Sequence, residues 1–260
     1  MTNLNIQFRN RIGFPEYEPI TFDNLATVLE KSAKSIPFEN LCIIANRTNE
    51  ITKENLINKI ISNNEGGLCY ELNGILHIFL LENGFDAKLI YGVVYDHNNQ
   101  RWSTTGRSHV ANIITHNGKK YLVDTGFGAN LPLKPVPLTG EIITSSNGEF
   151  RVEKAQTEQG NYILYIKLKY KDAVWKIGYA FDTTKAITDY SELNNVQKII
   201  MEHPESSFNK KPLITQLTDK GSVILTDNSV TEWIDGKVEK QDIDPKGYKD
   251  LAKNYFGIQA

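Results

Sequence analysis

The chain has 260 residues, 40% hydrophobic and 23% charged, an ordinary globular composition with length for one large core or two to three small ones. Its 29 Lys and Arg against 31 Asp and Glu leave a net charge of -2, so no global field favours nucleic acid or an anionic membrane, and a small molecule is the expected partner. No apolar run approaches the roughly 20 residues that span a bilayer, the opening MTNLNIQFRNRIGF lacks the basic and apolar regions of a signal peptide, and the two cysteines, Cys42 and Cys69, are too few for a disulfide scaffold; a cytoplasmic protein is expected.

In chain order, the first third reads as helical. Asp23 is the expected N-cap of a helix whose Leu25, Val28 and Leu29 fall at i, i+3 and i+4. A second helix follows Thr52, with Leu56, Ile57, Ile60 and Ile61 on its face, and SNNEGG ends it because consecutive glycines disfavour helix. A third starts near Cys69; Leu72, Ile75, Leu76, Phe79 and Leu80 form its stripe and Asn83-Gly84 its stop. From about residue 87 short β-branched and aromatic runs take over: AKLIYGVVY, HVANIIT, KKYLVD, NYILYIKLK and VWKIGYAF. This middle is expected to be barrel-like. Residues 188–202 return to helix, entered at Thr188 and left at His203-Pro204; strands resume in PLITQLT, SVILT and VTEWID, and Asp244-Pro245 opens a final helix. The reading is α+β, with lobes at 1–86, 87–186 and 187–260.

Cys69 stands at the opening of an apolar helix, directly after Gly66-Gly67-Leu68. Backbone N–H groups and the positive helix end there stabilise a thiolate and could hold an oxyanion. A small buried hydrophobe is the competing reading, and on local sequence the two are equal. His77, His97, His109, His116 and His203 are scattered without zinc-site spacing, so no metal is expected.

In HVANIITHNGKKYLVDTGFG, Asn117-Gly118 between apolar runs signals a two-residue type I′ hairpin. With that loop, Ala111 pairs with Asp124 and His109 with Gly126, making His109 and Asp124 diagonal neighbours on one face, roughly 7–8 Å apart at Cα and within reach of an imidazole–carboxylate hydrogen bond. A loop one residue longer reverses that parity. A helix-start cysteine plus a paired histidine and carboxylate are the parts of an activated thiol nucleophile. The contact between Cys69 and His109 is long-range, and sequence spacing does not give it.

At these residues the chain resembles the arylamine N-acetyltransferases, whose pattern is R-G-G-x-C, a later histidine, then an aspartate before G-F-G; here these are Gly66, Gly67 and Cys69, then His109, then Asp124 with Gly126, Phe127 and Gly128. Arg11-Ile12-Gly13, the segment Ile36-Pro37-Phe38-Glu39-Asn40-Leu41, Thr105-Gly106 and the run from His203 to Phe208 resemble further family motifs, so the likeness spans most of the chain. It implies a helical first domain, a β-barrel second and an α/β third domain around a cysteine-protease-like Cys-His-Asp core. It also implies ping-pong transfer from acetyl-CoA, through acetyl-Cys69, to an arylamine or arylhydrazine, as in xenobiotic metabolism. His109 would act as base and Asp124 orient it, Phe38 and Phe127 would line the acceptor pocket, and Thr105 and Gly106 would approach the cofactor. Core packing for the phenylalanines and a turn for Thr105-Gly106 are the plain alternatives. One position departs: Glu65 stands where the family has arginine. Two acids, Glu65 and Glu39, would then face each other unless another cation, such as Arg47 or Lys53, compensates. A thiol hydrolase or acyltransferase with another donor, and a non-catalytic binding relative, are the competing functions.

Overall fold

The structure, a computed structural model, describes residues 3–258. Helix α1 (Asn3–Ile12) buries Leu4, Phe8 and Ile12, spaced at i, i+4 and i+8 along one face. Helix α2 (Leu25–Ser35) buries Leu25, Val28 and Leu29 as their spacing requires. Its N-cap is Asn24 and not Asp23, and Asn24 spends its side chain on the preceding loop, accepting from Thr21 N at 2.8 Å. Strand β1 (Phe38–Glu39) and helix α3 (Leu41–Ile44) lead to helix α4 (Lys53–Leu56), where Thr52 accepts from Asn55 N at 3.1 Å. The chain then widens into a π turn over Ile57–Ser62.

Helix α5 (Cys69–Glu82) is the central element. The expected stripe is buried, but so are Tyr70, Glu71, Asn73, Gly74 and Ile78. It is enclosed on nearly every side, with α1, α4, α6 and strands of the sheet around it. The helix stops at Asn83, followed by Gly84 at φ +80.

The barrel sheet comprises β2 (Asp86–Asp96), β3 (Arg101–Trp102), β4 (His109–His116), β5 (Lys119–Val123), β6 (Val136–Pro137), β7 (Ile143–Ser145), β8 (Gly148–Lys154), β9 (Tyr162–Leu168) and β10 (Lys176–Ile187). The order is β6-β5-β4-β2-β10-β9-β8-β7, with β3 on β2. Beyond β6, Gly140 N donates to Val152 O of β8 at 2.9 Å, so the sheet nearly closes. Leu122, Phe150, Val152, Leu164 and Phe181 fill its interior.

Helix α6 (Leu193–Glu202) is entered through a 3-10 turn, Tyr190–Glu192, capped by Asp189 and not by Thr188; Asp189 accepts from Ser191 N at 2.7 Å, while the Thr188 amide and hydroxyl both donate to Glu192. Leu193, Val196 and Ile200 join the apolar cluster of α1, α2 and α5. Strands β11 (Leu213–Thr218), β12 (Gly221–Thr226), β13 (Ser229–Ile234) and β14 (Lys237–Asp242) form an antiparallel meander, and β1 adds to the free edge of β11. Helix α7 (Pro245–Phe256) is capped by Asp244, which accepts from Gly247 N at 2.7 Å, and packs Ala252 and Phe256 on Ile214, Val223 and Leu225. The architecture is α+β. No described helix is long and apolar enough to cross a membrane.

Candidate active site

The turn into α5 is held by close backbone approach. Gly67 N donates to Pro37 O at 3.2 Å, and Glu39 N donates to Gly67 O at 3.0 Å, so β1 runs beside the glycines. A Cβ on Gly66 would lie 2.1 Å from Pro37 O, which no side chain could tolerate. Cys69 is the first residue of the helix and 6% exposed. The backbone dipoles of α5 therefore point their positive end at its sulfur. The thiol donates to Ser108 O at 3.4 Å.

The hairpin has the register that a two-residue loop imposes. His116 pairs with Lys119 and Asn112 with Val123, and Asn117 and Gly118 both adopt positive φ, 49° and 74°. His109 and Asp124 accordingly share a face, and His109 Nε2 lies 2.8 Å from Asp124 Oδ2. Nε2 is committed to the carboxylate, which leaves Nδ1 as the ring nitrogen available to Cys69, whose side chain lies beside the imidazole and helps to raise its pKa. The long-range contact absent from the sequence reading is thus made.

Asp124 is buried and accepts four hydrogen bonds: from His109 and from Tyr179 Oη on Oδ2, both at 2.8 Å, and from Asn73 Nδ2 at 2.8 Å and Gly126 N at 2.7 Å on Oδ1. Burial alone would raise its pKa, but the His109 charge and these donors outweigh it and hold the carboxyl below its ordinary value. For His109, burial works against the charged form. The Asp124 charge and hydrogen bond, with Cys69 adding to them, overcome it and push the imidazole up to about 10. A Cβ on Gly126 would lie 2.6 Å from both Cys69 Cα and Asn73 Nδ2, so this glycine lets the aspartate loop press against Cys69.

Two residues here escaped sequence reasoning. Asn73 is four residues after Cys69, on the same helix face, and a polar residue amid an apolar helix was an available signal. Tyr179 arrives from β10 through long-range pairing, and no local pattern marks it.

Cys69 and His109 open onto a cavity of about 440 Å³. Phe38, Phe127 and Phe208 give it an aromatic wall, with the Phe38 and Phe208 rings 5.5 Å apart and Phe127 5.2 Å from the imidazole. Ser103, Thr105 and Ser108 give a hydroxyl wall, linked Oγ to Oγ1 to Oγ at 2.7 Å each. Gly106 is not among the lining residues; it sits at φ +62 in the turn between Ser103 and Ser108. Asn40 fixes the Phe208 segment, donating from Nδ2 to Phe208 O and Lys211 O at 2.8 Å each and accepting from Leu213 N at 2.7 Å.

The charge question around Glu65 has a different answer from the one expected. Lys59, from the π turn, stands 3.5 Å from Glu39 and 2.6 Å from Glu71. Arg47 and Lys53 do not take this role; Lys53 pairs with Glu82 at 2.9 Å. Position 59 falls on the polar side of a segment expected to be a regular helix; the structure has a π turn there, and the Lys59 side chain is 15% exposed. Glu65 lies instead 3.5 Å from the Cys42 thiol, which burial, with the surrounding carboxylates adding to it against Lys59, pushes up to about 11. Among the described residues, no group of His, Cys, Asp and Glu could hold a metal ion.

The profile of a family described as N-acetyltransferase matches residues 21–260. The chain is 39% identical to an uncharacterized acetyltransferase of Bacillus subtilis over 95% of its own length and 94% of that protein. It is 33% identical to a probable arylamine N-acetyltransferase of Dictyostelium discoideum, covering 88% and 83%. The crystal structure of arylamine N-acetyltransferase C from Bacillus anthracis superposes with a TM-score of 0.94 at 41% identity, with 99% of each chain covered. An arylamine N-acetyltransferase from Bacillus cereus gives 0.95 at 42% identity over the whole of both chains, and is described as having a unique Cys-His-Glu catalytic triad. In the present chain the carboxylate bonded to the histidine is Asp124.

Proposed function

The chain belongs to the arylamine N-acetyltransferase family, and on that premise we propose that Cys69 carries an acetyl group from acetyl-CoA to an arylamine or arylhydrazine in two half-reactions. The observation that carries this reading is His109, hydrogen-bonded to Asp124 on one side and beside Cys69 on the other, with Cys69 and His109 both lining an aromatic cavity. In the first half-reaction the Cys69 sulfur, its proton already held by His109, attacks the thioester carbonyl carbon. The oxyanion develops at the positive end of α5. It collapses to acetyl-Cys69, and His109 returns the proton to the departing CoA sulfur. In the second, the amine nitrogen attacks the acetyl carbonyl and loses a proton to His109, and the amide leaves as the thiol is restored. Asp124 holds the ring orientation and supports its positive charge.

Phe38 and Phe127 line the acceptor side in this reading, while Thr105 and Gly106 approach CoA. The lobes 1–86, 87–186 and 187–260 supply the nucleophile, the His-Asp pair and a cover. Two free thiols fit a reducing, cytoplasmic setting, and a wide apolar pocket fits varied foreign amines. The test is intact-protein mass spectrometry after brief mixing with acetyl-CoA. One acetyl group should be gained, absent in Cys69→Ala and lost again on adding an arylamine. A wild-type protein that stays unmodified while Cys69 reacts with iodoacetamide would overturn the choice of donor.

A further inference from the structure

The buried cluster behind the nucleophile has no part in the chemistry above, yet it connects to it. Each carboxylate in the cluster uses one oxygen on Lys59 and the other on a backbone amide. Glu39 places Oε1 3.5 Å from Lys59 Nζ and accepts from Leu41 N on Oε2. Glu71 places Oε1 2.6 Å from the same ammonium and accepts from Leu68 N on Oε2 at 2.9 Å. Leu68 immediately precedes Cys69, and Glu39 N also donates to Gly67 O. A Cβ on Gly67 would lie 2.8 Å from Glu71 Oε2, so the carboxylate packs directly on the turn. We propose that Lys59 is a positioning residue for Cys69, its ammonium tying Glu39 to Glu71 and so fixing the Gly66–Leu68 turn from which the nucleophile projects.

Two adjacent glycines leave such a turn with wide backbone freedom, so its geometry needs an outside restraint. Burial favours a single arrangement: the side chains of Glu39, Glu71 and Lys59 are 1%, 7% and 15% exposed. Without the cation, two buried carboxylates are left together with Glu65 nearby, and they separate or take up a proton. Either outcome loosens an amide contact one residue from the sulfur. Burial disfavours the charge on Lys59, but Glu71 and Glu39 outweigh it and hold the ammonium protonated. The lysine lies in a π turn, and such turns recur at functional sites.

The experiment compares wild type, Lys59→Met, Lys59→Arg and the relocated pair Lys59→Met/Glu65→Arg. Each protein is held well below its own melting transition. Iodoacetamide labelling of Cys69 and Cys42 is read by peptide mapping, and acetyl-Cys69 formation by intact mass. Lys59→Met should slow both reactions of Cys69 on the order of ten- to a hundredfold, the scale expected for a sub-ångström misplacement. Cys42, buried beside the cluster, should stay protected. Lys59→Arg should restore most of the rate, and the relocated arginine part of it. Unchanged Cys69 labelling in Lys59→Met would overturn the proposal, as would a loss accompanied by Cys42 labelling, which marks general loosening. The acetylation readout rests on the acetyl-Cys69 reading and the alkylation readout does not. Absence of acetylation in wild type therefore strikes that reading alone, while labelling still decides the role of Lys59.

Discussion

Tyr179 donates its hydroxyl to Asp124 Oδ2 at 2.8 Å, the same oxygen that holds His109 Nε2. The tyrosine and the histidine therefore compete for and jointly fix one carboxylate oxygen. Tyr179→Phe removes a hydrogen bond to a buried charge and should lower unfolding free energy by about 1.5–3 kcal/mol in urea melts. It leaves the His109–Asp124 contact standing, so acetylation of Cys69 should fall far less than in Asp124→Asn. The latter turns an amide nitrogen toward donors and withdraws the charge that supports the imidazolium, and single-turnover acetylation should drop about 10³- to 10⁴-fold.

The pH dependence follows from the same pair. His109 is raised from an unfolded value near 6.5 to about 10 in the fold. Its contribution to stability is fully present below the unfolded value and is lost as pH rises through about 10. Asp124, held low, contributes above its unfolded value, and that share disappears as acid protonates it in the fold. Urea melts between pH 6.5 and 10 should show wild type losing more stability with rising pH than Asp124→Asn. Equal slopes in the two proteins would refute the coupling.

Gly126 is needed for space. In Gly126→Ala the added methyl meets Cys69 Cα and Asn73 Nδ2 at 2.6 Å, and the loop or the helix start must shift. A loss of about 1–3 kcal/mol is expected from overpacking, read as a lower melting temperature. Cys69 alkylation should slow with it, because the displaced group is that residue's own backbone.

If the aromatic wall receives the acceptor, its loss should separate the half-reactions. Phe208→Ala opens the side of the cavity that faces Phe38 and removes a half-buried ring, whose apolar contact is worth less than the roughly 1.5–3 kcal/mol of a fully buried one. Steady-state kcat/KM for an arylamine should fall about tenfold or more, while single-turnover acetylation by acetyl-CoA stays near wild type. An equal loss in both would place Phe208 on the donor side.

Local chemistry made much of this legible. Asn117-Gly118 set the hairpin register, and that register put His109 and Asp124 on one face. Thr52 and Asp244 cap the helices they precede. Strand β14 was missed because Lys237–Asp242, exposed throughout, offers no alternation to read. Helix α1 was missed although Leu4, Phe8 and Ile12 carry its period. Lys59 was missed for another reason: its role depends on a π turn and on two acids brought together by the fold, and neither leaves a trace in spacing. Tyr179 belongs with it, since β10 meets β2 and β9 only after the sheet has formed.

Asn40 hangs the Phe208 segment from the short strand that also runs beside Gly67. One wall of the aromatic cavity and the turn that carries Cys69 are therefore parts of the same suspension. Substitutions from Phe38 to Asn40 should therefore carry a penalty in Cys69 reactivity, whereas Val94, on β2, and Ile224, on β12, line the cavity without joining those hydrogen bonds. Descendants of this protein that acquire new amine preferences should accumulate their changes around Val94 and Ile224, with the stretch from Phe38 to Asn40 standing still.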